Sequence, residues 1–250
     1  MFIKSINTKH WKRSKQIIKM IEIKDLSKNY SEKTVLNVPS LEIIKGSCFG
    51  LVGNNGAGKT TFFSLLLDLV EPSSGKILNQ GIEVSKDESW KAKTSAFIDS
   101  SFIIGYLTPE EYFEFIAELR GVDNNTLNDW LEQFSSFFKD EVLNQKKYIR
   151  DLSKGNQKKV GITASFIGSP ELIILDEPFS NLDPSSQILL KKLIQDFSKN
   201  DKTTFLISSH DLSHVTEVCT RIVLLEKGEV IKDIETNKTT LKELESYFTL

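Results

Sequence analysis

Apolar and polar residues alternate in "MIEIKDLSKNY", from Met20, and again in "TVLNVPSLEII", as they do in strands with one covered face. "SCFGLVG" is instead continuously apolar and ends in glycine, the pattern of a strand buried on both faces that feeds a loop. In "KTTFFSLLLDLV" the apolar spacing becomes helical, and "EPSSGKI" stops it with turn chemistry.

Residues 100–168 read differently. "TPEEYFEFIAELRG" has Thr108 as a cap, Pro109 at the first helical position, acids in the first turn and Gly121 at the end. "DNNTLNDWLEQFSSFF" and "GNQKKVGITASFIG" read as further helices, so this stretch is expected to be a helical subdomain inserted into an α/β core. Beyond it, "ELIILDEP", "TTFLISSH" and "RIVLLEKGEVI" read as buried strands, alternating with helices such as "DPSSQILLKKLIQDFSKN". That alternation predicts a mostly parallel sheet covered on both faces, with an antiparallel N-terminal β part. The expected division is a core of residues 20–99 and 169–235, a helical subdomain of residues 100–168, and a C-terminal helix within residues 236–250 that serves as a packing tail. The aromatics after Phe102 fall mostly at core positions of a helix, but Phe102 and Tyr106 are candidates for a groove that receives a partner's helix.

Composition narrows the function classes. With 250 residues, 39% of them hydrophobic, the chain is long enough for a sizeable core, and a net charge of −2 gives no reason to expect nucleic acid as a partner. No apolar run approaches the roughly 20 residues that span a bilayer. Residues 1–19 carry Lys4, Lys9, Lys12, Arg13, Lys15 and Lys19 and no acid. This basic extension lacks the apolar stretch of a secretory signal; the natural start is expected at Met20 or the extension to be a disordered basic tail, with a membrane-surface arm as the remaining reading. Cys48 and Cys219 show no metal-ligand spacing and are expected as core thiols of a cytosolic chain. His10 and His214 are expected to be solvated.

The chemistry sits in two places. "GNNGAGKT", from Gly53 through Asn54, Asn55, Gly56, Ala57, Gly58 and Lys59 to Thr60, fits a phosphate loop between a strand and a helix. Gly56 and Gly58 let successive N–H groups turn inward as an anion nest, Lys59 places an ammonium on the phosphates, and the Thr60 hydroxyl is a Mg²⁺ ligand. In "LIILDEP", Asp176 ends an apolar strand and would hold Mg²⁺ through water, while Glu177 can take a proton from a water that attacks the terminal phosphate. "RDLSKGNQKKVGI" offers a second anion site: Asp151 and Ser153 are both N-cap candidates before an apolar helical face.

The set "GNNGAGKTT", "LSKGN", "IILDEP", "SNLD" and "SSH" closely resembles the ATP-binding subunits of ABC transporters, in order and spacing, from about Ile21 to Lys232. The resemblance implies a P-loop NTPase fold and Mg-dependent hydrolysis of ATP. It implies adenine stacking on Tyr30, nucleotide contact by Thr61 within the loop, and coupling between two sites through Asp183. It also implies a γ-phosphate contact from His210, and a signature made by Ser153, Lys154, Gly155 and Asn156. Two positions depart from the family pattern. Lys154 stands where glycine is usual and Asn156 where glutamine is. Asp99, or Ser100 one residue on, stands where a glutamine reaches the metal; Asp99 acting only as a turn cap is the alternative.

By the same resemblance the signature closes over ATP held by the phosphate loop of a second subunit, in a homo- or heterodimer beneath membrane-spanning permease subunits. The expected place is the cytoplasmic face of the plasma membrane, held there by the permease. The serine–lysine–glycine signature is similar to that of ABC-2 exporters. The alternative is a non-transport ABC ATPase of translation or DNA maintenance. The second cassette of the first and the long coiled coil of the other are not found here.

Overall fold

The computed structural model describes residues 18–199 and 202–248. The basic arm lies outside them as far as residue 17, as does His10, while Lys19 already belongs to the first strand.

β1 (Lys19–Tyr30) turns through Ser31 and Glu32 into its antiparallel partner β2 (Lys33–Ile44). β3 (Cys48–Val52), buried throughout, leads to α1 (Lys59–Leu66). The helical spacing of "KTTFFSLLLDLV" runs further than the helix does, because Asp68 adopts φ +55 and turns the chain away. β4 (Ser74–Asn79) and the short β5 (Ile82–Glu83) extend the antiparallel side, and β6 (Thr94–Phe97) pairs elsewhere.

Helices follow. α2 (Pro109–Leu119) opens with a reciprocal capping box: Glu111 N–H donates to Thr108 Oγ1, and Thr108 N–H donates to Glu111 Oε2. "DNNTLNDWLEQFSSFF" is two helices rather than one, α3 (Asn124–Glu132) and α4 (Ser135–Phe138). The N–H groups of Gln133 and Phe134 reach back only three residues, and this tighter winding accompanies the burial of Phe134, Phe137 and Phe138. α5 (Lys154–Phe166) is buried from Gln157 onward.

The remaining elements are β7 (Leu172–Leu175), α6 (Pro184–Ser198), β8 (Thr204–Ser209), α7 (Leu212–Val218), β9 (Arg221–Glu226), β10 (Glu229–Glu235) and α8 (Thr240–Phe248). "RIVLLEKGEVI", read above as one strand, is a hairpin. Lys227 (φ +48) and Gly228 (φ +83) both take the left-handed conformation that a tight antiparallel turn requires.

One ten-stranded sheet runs β5-β4-β1-β2-β10-β9-β3-β8-β7-β6. β3 pairs in parallel with β8 and β9, and β7 in parallel with β8 and β6; the β1, β2, β4 and β5 side is antiparallel. Two cores cover the two faces, and alternate residues enter each. Ile173 and Leu175 of β7, with Phe205 and Ile207 of β8, join the helical side. Leu172, Ile174 and Leu206 join the core of α1 and the β1–β2 hairpin. Burial on both faces is why these strands read as unbroken apolar runs. Leu244 docks α8 into the first core. No helix among the described residues is long and apolar enough to cross a membrane.

Candidate functional site

The parallel strands deliver the polar residues to one edge of the sheet. β3 ends at Val52 before the glycine-rich loop, β7 at Leu175 before Asp176, β8 at Ser209 before His210, and β6 at Phe97 before Asp99. Ligands of open α/β sheets bind outside the carboxyl ends of such strands.

The loop is shaped for an anion. Gly58 has φ +107 and stands as the N-cap of α1 with no side-chain cap, so the first amides of the helix carry no side-chain partner. At Gly53 a Cβ would lie 2.3 Å from the Leu225 carbonyl oxygen, so only glycine lets the loop sit this close to β9. The β9–β10 turn braces it further, for Gly228 N–H donates to the Ala57 carbonyl at 2.9 Å. Asn55, Gly56, Gly58, Lys59, Thr60 and Thr61 line a cleft that also takes in Glu177 and Lys227. Asn54 borders a neighbouring recess on the other side of the loop. Tyr30 ends β1, half exposed, with the Lys28 ammonium 5.0 Å from its ring; it is not among the cleft's lining residues, although Lys33, Thr34 and Val35 of the same hairpin are.

Lys59 is buried, donates to the Gly53 carbonyl at 2.7 Å, and stands 3.2 Å from Glu177 Oε1. That contact is an ion pair without hydrogen-bond geometry, and Oε1 is buried with no donor to it. On the other carboxylate oxygen, Oε2, His210 Nδ1 approaches to 2.8 Å and donates when it carries the proton. Glu177 itself has φ +47, and its N–H donates to Ser208 Oγ at 2.9 Å.

Asp176, 5% exposed, accepts hydrogen bonds from Thr60 Oγ1 at 2.6 Å and from the Ser208 hydroxyl. Burial pushes its carboxyl above the usual carboxylate range, against the pull of those two hydroxyls. A buried carboxylate partnered by hydroxyls and joined to a threonine hydroxyl is a hard-oxygen donor pair, which fits Mg²⁺. No group of three His, Cys, Asp or Glu residues among those described is placed to hold a metal, so such an ion would need phosphate or water oxygens as well.

Asp99 lies in a second cleft with Thr60, Asp176 and Glu177, and Ser100 lies there too. Its Oδ1 caps the following turn by accepting from Ser101 N–H at 2.8 Å, and these bonds hold its carboxyl below the usual range. Lys154 lines the same cleft. Of the two N-cap candidates, Ser153 takes the role: its Oγ accepts from Asn156 N–H at 3.2 Å. Ser153 is exposed and lines none of these clefts, while a Cβ on Gly155 would come within 2.9 Å of the Asn181 carbonyl oxygen. Asp183 caps α6 and pairs with Lys139 at 2.7 Å, which together with Ser185 and Ser186 holds its carboxyl far below the usual range.

Three contributors escaped the sequence reading. Ser208 bridges Asp176 and Glu177, and its signal is a hydroxyl where an apolar strand meets "SH". Lys227 enters the cleft from the hairpin mistaken for one strand. Lys158 donates to the Glu177 carbonyl at 2.8 Å; burial lowers its ammonium, while Glu177, Asp176 and Asp99 oppose that effect. His214, expected to be solvated, instead packs on Phe179 with ring centroids 4.8 Å apart, because it points inward from α7. Cys48 and Cys219 are buried free thiols with sulfurs 3.6 Å apart.

The profile of the ABC transporter family matches residues 36–180. A bacitracin transport ATP-binding protein, BcrA of Enterococcus faecalis, is 31% identical over 86% of this chain and 69% of its own. A lantibiotic transport ATP-binding protein, SrtF of Streptococcus pyogenes, is 32% identical over 86% of this chain and 91% of its own. The fold is similar to that of the ATP-binding cassette MJ0796, whose dimeric post-hydrolysis structure bound to ADP and Pi superposes with a TM-score of 0.77. That match has 22% identity and covers 87% of this chain and 99% of that one.

Proposed function

Since the chain belongs to the ABC transporter family, as one of its ATP-hydrolysing subunits, we propose that the residues at the strand ends divide the work as follows. The amides of the glycine-rich loop and Lys59 hold the phosphates, with Asn54, Asn55 and Thr61 around them. Thr60 and Asp176 hold Mg²⁺, with Asp99 reaching it through water, and the ion supplies charge neutralisation on the phosphates. Glu177 takes the proton of the attacking water, His210 steadies its carboxylate and the terminal phosphate, and Tyr30 carries the adenine. The observation that carries this reading is the convergence at the ends of β7 and β8 and the start of α1, where Glu177 contacts both Lys59 and His210 while Asp176 accepts from Thr60 and Ser208.

The exposed Ser153, with Lys154, Gly155 and Asn156, serves the nucleotide of a second subunit, and Asp183 couples the two sites. Two chains thus enclose two nucleotides, and their closure drives permease subunits from the cytoplasmic face of the membrane. In this reading residues 100–168 are the signature-bearing unit and residues 20–99 with 169–235 the ATP-binding core. Export of a peptide-like cargo is the direction favoured by likeness to the bacitracin and lantibiotic transport proteins. Phe102, 63% exposed, lines an apolar groove with Leu69, Ile103, Tyr112, Ile116 and Leu119, which suits a short helix of the permease.

Glu177→Gln tests the central assignment. ATP binding should persist while hydrolysis slows by about 10²–10⁴, the range for a lost general base, and gel filtration with Mg-ATP should show a trapped dimer. Near-normal turnover removes Glu177 from this role.

A further inference from the structure

A second ammonium bears on Glu177, from behind. Lys158 on α5 is 8% exposed, and its Nζ donates to the Glu177 carbonyl oxygen at 2.8 Å and to Ser180 Oγ at 2.5 Å. Ser180 Oγ donates in turn to the same carbonyl at 2.9 Å. Glu177 has φ +47, a conformation that a glutamate keeps only where its surroundings hold it. With Ser208 on its N–H and Lys158 and Ser180 on its carbonyl, both peptide groups flanking Glu177 are fixed by side chains.

We propose that Lys158 is a positioning residue for Glu177. It holds the left-handed turn that aims the carboxylate at His210, and it makes that aim depend on α5, the helix whose cap is Ser153. The inference rests on the reading of Glu177 as general base and adds to it a route from the signature to the base within one subunit. Ser153 and Lys158 lie less than two turns apart on a single helix. A nucleotide of the partner subunit that engages the cap therefore moves Lys158 as part of one stiff rod. Charge alone does not account for the placement: the ammonium faces three carboxylates, Asp99, Asp176 and Glu177, yet its hydrogen bonds go to a carbonyl and a hydroxyl.

Steady-state ATP hydrolysis by the full chain tests this, with Lys158→Met, Lys158→Gln, Glu177→Gln and the Lys158→Met/Glu177→Gln pair. Lys158→Met should lower kcat by about ten- to a hundredfold, the scale of loss for a misplaced catalytic group. The KM for ATP should stay within about twofold, because ground-state binding is untouched. Lys158→Gln, whose amide still donates, should recover most of the rate. On the Glu177→Gln background, Lys158→Met should cost nothing further. Equal losses on both backgrounds, or a loss carried by KM, would overturn the proposal. If Lys158→Met does not fold, Ser180→Ala, which removes the other side-chain donor to the carbonyl and leaves only the Ser180 N–H beside Lys158, must show the same non-additivity with Glu177→Gln. Unimpaired turnover in Glu177→Gln would defeat the base assignment itself. Unimpaired turnover in Lys158→Met beside an impaired Glu177→Gln would defeat this inference alone.

Discussion

Thr60 Oγ1 donates to Asp176 Oδ2 at 2.6 Å, which ties the first turn of α1 to the end of β7. The bond only partly offsets the burial that raises the Asp176 carboxyl above its ordinary value of 3.8. A folded pKa above the unfolded one means a stabilising contribution that is complete below the unfolded value and lost as pH rises through the folded value. Ionised Asp176 therefore costs stability at neutral pH. Asp176→Asn should raise the melting temperature of the nucleotide-free chain at pH 7, with the gain shrinking toward pH 4, and should abolish Mg-dependent hydrolysis. Calorimetry across that pH range checks it, and a lower melting temperature at pH 7 would reverse the argument.

Ser153, the cap of α5, lines neither cleft of its own chain, although Lys154 after it borders the one that holds Thr60 and Asp176. Lys59→Ala and Ser153→Arg should each disable a homodimer, since every composite site then carries a fault. Mixing the two folded variants leaves one intact site per mixed dimer. Nucleotide-dependent cross-linking should return in the mixture alone; a mixture as inert as its parents would favour a signature that acts within its own chain.

Phe102 and Tyr106 are 63% and 72% exposed, and the Arg150 guanidinium lies 4.4 Å from the Tyr106 ring. Of the two, only Phe102 lines the apolar groove. Phe102→Glu should leave ATP hydrolysis by the isolated chain unchanged while uncoupling it from transport in the assembled transporter. Loss of folding, read by circular dichroism, would instead make Phe102 a core residue.

Gly50 lies in the middle of β3, where a Cβ would stand 2.2 Å from Val215 Cγ1 and 3.2 Å from Cys219 Sγ. Overpacking of this kind costs about 1–3 kcal/mol. For a chain of this length each kcal/mol lowers the melting temperature by roughly 2–4 °C. Gly50→Ala is expected to fall in that range by thermal unfolding, with the KM for ATP changed far less than stability.

Much of this was legible beforehand because the residues that make the site also punctuate the chain. Gly56 and Gly58 are loop residues by backbone need, both at positive φ, and Asp176 ends an apolar run that alternates between two cores. The hairpin at Lys227–Gly228 was missed because both of its strands are rich in apolar residues, and a lysine at positive φ leaves no mark in composition. Lys158 was missed because a lysine in a helix usually faces solvent; its inward aim follows from the register of α5 against β6 and β7, which is a property of packing. His214 was misjudged for the same reason.

The bond from Gly228 to Ala57 joins a loop made early in synthesis to a turn made late. Gly53, on the other side of that loop, fits only against β9. A nascent chain that has passed residue 61 thus owns the glycine-rich loop with Lys59, Thr60 and Thr61 but not the wall that shapes it. Chains released before the β9–β10 turn should fail to retain ATP on an affinity resin, although "GNNGAGKT" is complete in them. Nucleotide binding in this protein then reports that synthesis has passed the β9–β10 turn, so a shorter nascent chain should not compete for ATP.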